Sequence, residues 1–307
     1  MAMTTTANPA AITTALREDL SDIITNISPT DTVFMSNIGK APVKGIYTEW
    51  LTDELTTAAN CAVTEGNTAV PTDGHSQTRV ANYTQIAAKW ISVSDTIEAV
   101  DKAGRKSEMA YQSGLMLKEL ARDMEYGLIN NSTSTSGATR SACGLKGFIT
   151  TNATSFTTGT SITTLTETLF NDVIEACWGE GGNPTMVLAN SYHKRQISAF
   201  SGNSKIVTNM DAENKKIILS VDYYESDFGV VKVYASRFIA EDSSDYRSVY
   251  ILDKEKFQLG VLQGLKTEKL AKVGLGQIIQ MSTEYTLISR NQKASGIIKN
   301  CASIAAH

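Results

Sequence analysis

Residues 105–129 read RKSEMAYQSGLMLKELARDMEYGLI, and the spacing of their apolar positions decides the architecture. Ala110, Gly114, Leu117, Leu120, Ala121, Met124 and Leu128 recur at intervals of three and four, while Lys118, Glu119, Arg122, Asp123 and Glu125 occupy the rest of the turn. That period predicts one amphipathic helix. At 1.5 Å per residue it spans roughly 37 Å, about the width of a domain, so one face must lie on a sheet.

On its amino side the pattern changes. Asp95-Thr96-Ile97-Glu98 has capping-box spacing, an acid at the N-cap and a Glu three residues on, and predicts a short helix that Gly104 ends. Before it, Ile46, Tyr47, Glu49, Trp50 and Leu51 form a strand-like run, and 79–94 returns with β-favouring Val80, Tyr83, Ile86, Trp90, Ile91 and Val93. The two runs read as the legs of a long hairpin. What lies between, LTDELTTAANCAVTEGNTAVPTDGHSQT, is too polar for a core and too long for an ordinary turn, so it should project. Tyr47, Trp50, Tyr83 and Trp90 then sit on a thin ribbon with little interior. Either they pack on each other across the strands or they meet a neighbouring subunit, where Trp and Tyr are favoured anchors. Residues 1–19, rich in Thr and Ala, read as a mobile arm, and 20–44 as a peripheral extended segment with turns.

On the carboxyl side, 17 of the 33 residues over 132–164 are Ser or Thr, which marks a change of structural unit. Thr164-x-x-Glu167 opens a helix that Gly179 stops, 185–189 reads as a buried strand, and Ser191 caps a further helix. β patterns follow at 217–224, 230–235, 248–252, 257–262 and 277–289. Helices and strands mix without regular alternation, which makes the fold class α+β.

Composition excludes several classes. The chain has 307 residues, 42% hydrophobic and 20% charged, ordinary globular values that favour a soluble protein with a sizeable core. No run approaches the ~18–20 apolar residues of a spanning helix, and the start lacks a charged region followed by an apolar one, so the chain reads as made and kept in a cytoplasm with no membrane partner. Net charge is −4, which disfavours a dedicated phosphate-gripping protein. The short basic runs His193-Lys194-Arg195 and Lys215-Lys216 read as solvated turns or helix faces. Cys61, Cys143, Cys177 and Cys301 are far apart without a CxxC and read as buried thiols.

Candidate chemistry is thin. His75, His193 and His307 are the only histidines. His75 with Asp73 lacks a second cluster of metal ligands, and Cys143 or Cys177 with His193 lacks the flanking signature of a thiol dyad. No phosphate loop, nucleophile elbow or HExxH occurs. Residues 179–182 follow a helix and read as its C-cap and turn, and Asp172 and Glu175 as solvent-facing carboxylates. No catalytic site, metal or cofactor is expected. An arm and a projecting flap have little to do in a monomer and suit a shell subunit.

Several words of this sequence, in this order, resemble the major capsid proteins of tailed bacteriophages with the Hong Kong 97 capsid fold: DLSDIITNISPTDTVFMSNIGKA from Asp19, YTEW from Tyr47, NYTQI from Asn82, EAVDKAGRKSEMAYQ from Glu98, ELARDMEYGLI from Glu119, GGNPT from Gly181, SDFGVVKV from Ser226 and EYTLISRN from Glu284. The resemblance covers about 19–300. It implies an N-terminal arm (1–44), an extended E-loop hairpin (45–95), a P-domain with the long spine helix (96–150, completed by 262–307) and an A-domain (151–261). It implies a structural subunit that assembles with itself into pentamers and hexamers of an icosahedral head around double-stranded DNA, held by nonspecific contact. Portal, scaffold and decoration proteins are the further partners it implies, with assembly in a bacterial cytoplasm and residence in the virion. A gene-transfer particle, a protein-cargo nanocompartment or, more distantly, an intracellular α+β enzyme are the alternatives. The subunit-contact residues expected on flap and arm are Tyr47, Glu49, Trp50, Asp53, Glu54, Glu65, Asp73 and Arg79. Relatives that cross-link their shells use an E-loop lysine, and 45–88 has none, so cohesion should be noncovalent, with the acidic flap landing on a basic strip of the next subunit. No long charged prodomain opens the chain, which leaves a separate scaffold or none.

Overall fold

The computed structural model describes residues 31–68, 74, 76–100, 107–155, 164–200, 223–243, 246–272 and 274–302. The expected arm over 1–19, Gly104, His75, Asp73, Lys215-Lys216, the first part of the 217–224 strand and His307 lie outside them. In chain order the elements are α1 (Val33–Asn37), β1 (Gly39–Pro42), β2 (Tyr47–Thr52), β3 (Thr78–Tyr83), β4 (Gln85–Ser94), α2 (Asp95–Ala99), α3 (Glu108–Asn130), α4 (Leu145–Phe148) and β5 (Asn152–Ser155). Then come α5 (Glu167–Gly179), β6 (Met186–Ala189), α6 (Ser191–Ser198), β7 (Tyr223–Ser226), β8 (Gly229–Ala235), β9 (Glu241–Ser243), β10 (Tyr246–Leu252), β11 (Phe257–Lys269), β12 (Gly276–Ser289) and β13 (Gly296–Ala302).

Among the described residues the strands make three sheets: one of four in the order β1-β11-β12-β4, one of seven along β5-β13-β10-β6-β8-β7 with β9 beside β10, and the two-stranded ribbon β2-β3. The mixture is α+β, as expected.

The long helix forms, but it is rolled relative to the predicted stripe. Ala110, Gly114 and Leu117 face outward, and Met116, Leu120, Leu128 and Ile129 are buried. Ala and Gly offer too little apolar surface to choose a face, so the larger side chains decide it. Met116 and Leu120, with Met109 and Met124 beside them, pack on Ile279 and Met281 of β12. The helix start is also capped differently from the sequence reading. Ser94 caps α2 by accepting from the Ile97 amide, and Glu98 instead reaches to α3, where its Oε2 accepts from the Glu108 and Met109 amides at 3.0 and 3.4 Å. The longer helix, with its free first-turn amides, takes the carboxylate. Likewise α5 is capped by Thr166 and α6 by Asn190, two residues and one residue from the expected caps Thr164 and Ser191.

The segment expected to be peripheral sends Phe34, Ile38 and Val43 into the core. Phe34 is fully buried beside Ile38, and the Phe34 and Met35 amides donate to the two carboxylate oxygens of Glu125, at 2.6 and 2.8 Å. Glu125, off the predicted apolar stripe, is fully buried. β1 then adds to β11 in parallel, and Val43 extends the pairing by donating to the Val261 carbonyl.

The central strands of the seven-stranded sheet, β6, β10 and β13, are buried on both faces. Val187, Ala189, Val249 and Ile251 point toward α5 and α6 with Phe170, Ile174 and Ile197, while Met186, Leu188, Tyr250 and Leu252 point into a second core with Phe34, Leu128, Phe257 and Leu287. That second core joins both large sheets and the end of the spine helix. Two expected boundaries move as a result. β4 belongs to the four-stranded sheet instead of the hairpin, because it pairs with β12 from Gln85 to Ser94. β13 sits between β10 and β5, away from the rest of 262–307, because Ile297 and Ile298 are apolar toward opposite faces and need cover on both.

Phe34→Ala should lower the unfolding free energy of the unassembled subunit by about 3–5 kcal/mol. It should also expose 31–44 to protease before the rest of the chain; urea unfolding and limited proteolysis read the two effects.

Candidate assembly surfaces

The ribbon β2-β3 is the projecting flap. Its legs pair from Tyr47 opposite Tyr83 to Thr52 opposite Thr78, and β2 alternates strictly between exposed and half-buried positions. The Tyr47 and Tyr83 rings lie 4.5 Å apart, and the exposed pair Glu49–Arg79 spans the legs at 3.5 Å. Trp50 turns to the body: its Nε1 donates to the Ser289 carbonyl at 2.8 Å and its ring lies 6.0 Å from Phe148. Within the subunit Tyr47 thus packs on Tyr83 across the strands and Trp50 packs on the body, while Tyr47 stays 48% exposed. Trp90 is not on the flap at all; it stands on β4, donates to Gln280 and is 61% exposed.

Beyond Thr52 the flap is exposed throughout its described residues. Asp53 and Glu65 lie there in the open, with Leu55 90% and Val63 76% exposed. Glu54 is ion-paired with Lys293, which also approaches Glu180 at 3.8 Å. The Glu54 carboxylate, and with it Glu180, holds the Lys293 ammonium above its usual pKa. Of the expected contact residues, then, Tyr47, Glu49, Trp50 and Arg79 share the ribbon, Asp53, Glu54 and Glu65 follow it, and Asp73 is outside the described residues.

The flap's root was missed by sequence reasoning. At the break between β3 and β4, Asn82 is fully buried: its Oδ1 accepts from the Cys143 amide at 2.8 Å, and its Nδ2 donates to the Leu287 and Cys143 carbonyls at 2.8 and 3.1 Å. Buried Thr84 donates to Glu284 at 2.6 Å, and Arg140 closes on the same oxygen at 2.8 Å. Thr286 donates to the Tyr83 carbonyl, and the Thr84 amide donates to Ile46, which ties both legs at one level. Gly144 allows the segment after the spine helix to reach this point, since a Cβ there would lie 2.6 Å from the Leu128 carbonyl. The available signal was the polar word NYT inside a β-favouring run.

The described residues hold no catalytic grouping. His193 is buried, with Nε2 against the Ala302 carbonyl at 3.1 Å, while the thiols of Cys143 and Cys177 are engaged elsewhere, near Ser132 and Asn152. Burial pushes the Cys143 thiol up to about 11 and those of Cys177 and Cys301 up to about 12, so these three are inert. Cys61, expected to be buried, is exposed on the flap. Among the described residues no three His, Cys, Asp or Glu are grouped to hold a metal, and no helix is long and apolar enough to cross a membrane. A groove of about 260 Å³ between α3 and β4 is lined by Trp90, Met116, Gln112, Lys89 and Glu119 among others. Its lysine is already bound to Glu119 and Asp123, at 3.0 and 2.8 Å.

Residues 2–302 match a family model described as SU10 major capsid protein. Over 115 residues the chain is 36% identical to the major capsid protein of Escherichia phage Phieco32, a stretch covering 36% of this chain and 32% of that protein, so the match spans about a third of the relative's length. Among solved structures, the capsid of a native GTA particle superposes with a TM-score of 0.67 at 10% identity, covering 98% of this chain and 100% of that one. A structure from Mycobacterium phage Bobi gives 0.66 at 13% identity (96% and 99% covered), and the holo-SrpI encapsulin complex of Synechococcus elongatus gives 0.61 at 12% (99% of each). At such identities these structures establish the shared fold.

Asn82→Ala leaves the Cys143 amide buried without its acceptor and should cost about 1–3 kcal/mol, read as a lower urea midpoint. His193 gives a pH dependence. Burial, opposed by the Ala302 carbonyl and aided by Arg247, lowers its pKa from 6.5 to about 4. The unfolded chain therefore binds the proton first, so His193's contribution is fully present above pH 6.5 and is lost as pH falls toward 4, by up to about 3 kcal/mol. His193→Gln should flatten the urea midpoint between those pH values.

Proposed function

Since the chain belongs to the SU10 major capsid protein family, we propose that it is the structural subunit of an icosahedral phage head, assembling into pentamers and hexamers around packaged double-stranded DNA. It acts by tiling and not by catalysis. The observation that carries the reading is the flap: a thin, two-stranded ribbon rooted in a buried polar cluster and exposed along 53–68. Such a ribbon is marginal alone, and repeated contacts between identical subunits multiply its small interface into a stable shell.

In this reading the four-stranded sheet and spine helix form the P-domain, the seven-stranded sheet the A-domain, and the flap, with Tyr47, Glu49, Trp50, Asp53, Glu54, Glu65, Asp73 and Arg79, supplies contacts to the next subunit. Portal, scaffold and decoration proteins are the additional partners, DNA is met nonspecifically, and assembly takes place in the host cytoplasm before the protein resides in the virion. The net charge of −4 suits containment of DNA without tight adhesion. The shell is held noncovalently, because 45–88 contains no lysine for an E-loop cross-link.

A protein-cargo compartment of the same fold differs from a phage head in what its shell holds, so cargo separates those two readings. The overexpressed protein should give uniform polyhedral particles or capsomer rings by negative stain, and particles from an infection should protect DNA from nuclease. A compact monomer at high concentration, or particles filled only with protein, overturns the proposal. Denaturing electrophoresis of mature particles should give a single monomer band; a covalent ladder contradicts noncovalent cohesion.

A further inference from the structure

One lysine joins three parts of the chain. Lys293 lies in the turn between β12 and β13, where its amide donates to Asn291 Oδ1 at 3.0 Å and its carbonyl accepts from Asn152 Nδ2 at 2.6 Å. The next residue, Ala294, is fully buried against Gly182, where a Cβ would lie 2.5 Å from the Ala294 Cα. The backbone that carries the ammonium is therefore fixed. Two carboxylates from different elements lie within its reach: it is ion-paired with Glu54 on the flap and stands 3.8 Å from Glu180, which follows α5.

Both pairings are weak. Side-chain exposure is 68% for Glu54, 46% for Glu180 and 30% for Lys293, so water and salt compete for each contact. Glu180 gains from a nearby cation because it stands at the C-terminal end of a helix, where unpaired carbonyls already concentrate negative charge. The flap is free to pivot at the same level. Its strand ladder ends where Thr52 lies opposite Thr78, and 53–68 is exposed throughout. Lifting this part breaks the Glu54 contact and leaves the lysine beside Glu180, so its charge is matched before and after.

We propose that Lys293 is a two-position clasp: paired with Glu54 it draws the flap beyond Thr52 onto its own subunit, and paired with Glu180 it lets the flap go. A cation with a second partner waiting changes hands without leaving an uncompensated charge, so both positions are populated and conditions choose between them. The consequence for assembly rests on the shell reading. In the clasped position the flap is withheld from other subunits, and the subunit assembles from the open one.

The test uses the full chain with a spin label at Leu55→Cys in a Cys61→Ser background: Leu55 is 90% exposed beside Glu54, and the other three cysteines are buried. In the unassembled subunit at low salt, the mobile fraction of the label should rise about two- to fivefold in K293A and in E54Q, the scale of an exposed ion pair. High salt should do the same to the parent and change K293A little. E180Q separates a clasp from a static cluster. By removing the second partner it should lower the mobile fraction, whereas a fixed network of the three side chains would loosen. Melting temperatures should match the parent's, since all three side chains reach solvent. Equal mobility in parent and K293A, or an E180Q flap as loose as that of K293A, overturns the proposal. Assembly, read by light scattering, should begin at a lower protein concentration in K293A and a higher one in E180Q; an unchanged or reversed order also overturns it, with the shell reading intact. A parent chain that forms no particles overturns the shell reading, while the label still decides the clasp.

Discussion

Glu125 is the constraint on which the rest depends. A carboxylate removed from water is costly unless donors surround it, and burial does raise the pKa of Glu125 against the lowering effect of the Met35, Phe34 and Val33 amides. Those amides open α1, whose short helix supplies no internal partners for them. Each side thus needs the other, and the pairing fixes where the segment after the arm enters the body. Phe34 goes with it into the core that also holds Leu128 of the spine helix, Phe257 and Leu287 of the four-stranded sheet, and Leu188 and Tyr250 of the seven-stranded sheet. One ion therefore locates the point where both sheets, the helix and the incoming chain converge.

The flap follows from that convergence. Its root is held by groups from two places: Cys143 and Arg140 beyond the spine helix, and Glu284, Thr286 and Leu287 on β12. These bonds are buried or part-buried, so the direction of the flap is set by the body. Farther out the supports weaken to one indole bond and surface ion pairs, each of little value in water. Rigid root and exposed tip suit a part that must be aimed by its own subunit and stabilised by another.

Much of the fold was legible because periodicity is a local property. The spine helix, α5, β6, β8, β10 and β12 all stand close to where spacing placed them. What spacing could not supply was the rotation of a helix with two adjacent stripes, as Met116 displaced Leu117 from the buried face. Nor could it reveal which neighbour a cap serves, as Glu98 turned from its own helix to the next one.

The sequence by itself determined the α+β class, the order of flap and helix, the absence of lysine from 45–88 and the acidity of the flap, all of which are written in consecutive residues. Only the tertiary structure decided that Glu125 and Asn82 are buried and that β4 and β13 join different sheets. Those facts depend on pairings between residues as far apart as Phe34 and Glu125 or Asn82 and Leu287. A polar side chain reads the same in sequence whether water or a distant amide satisfies it, and only the folded chain says which.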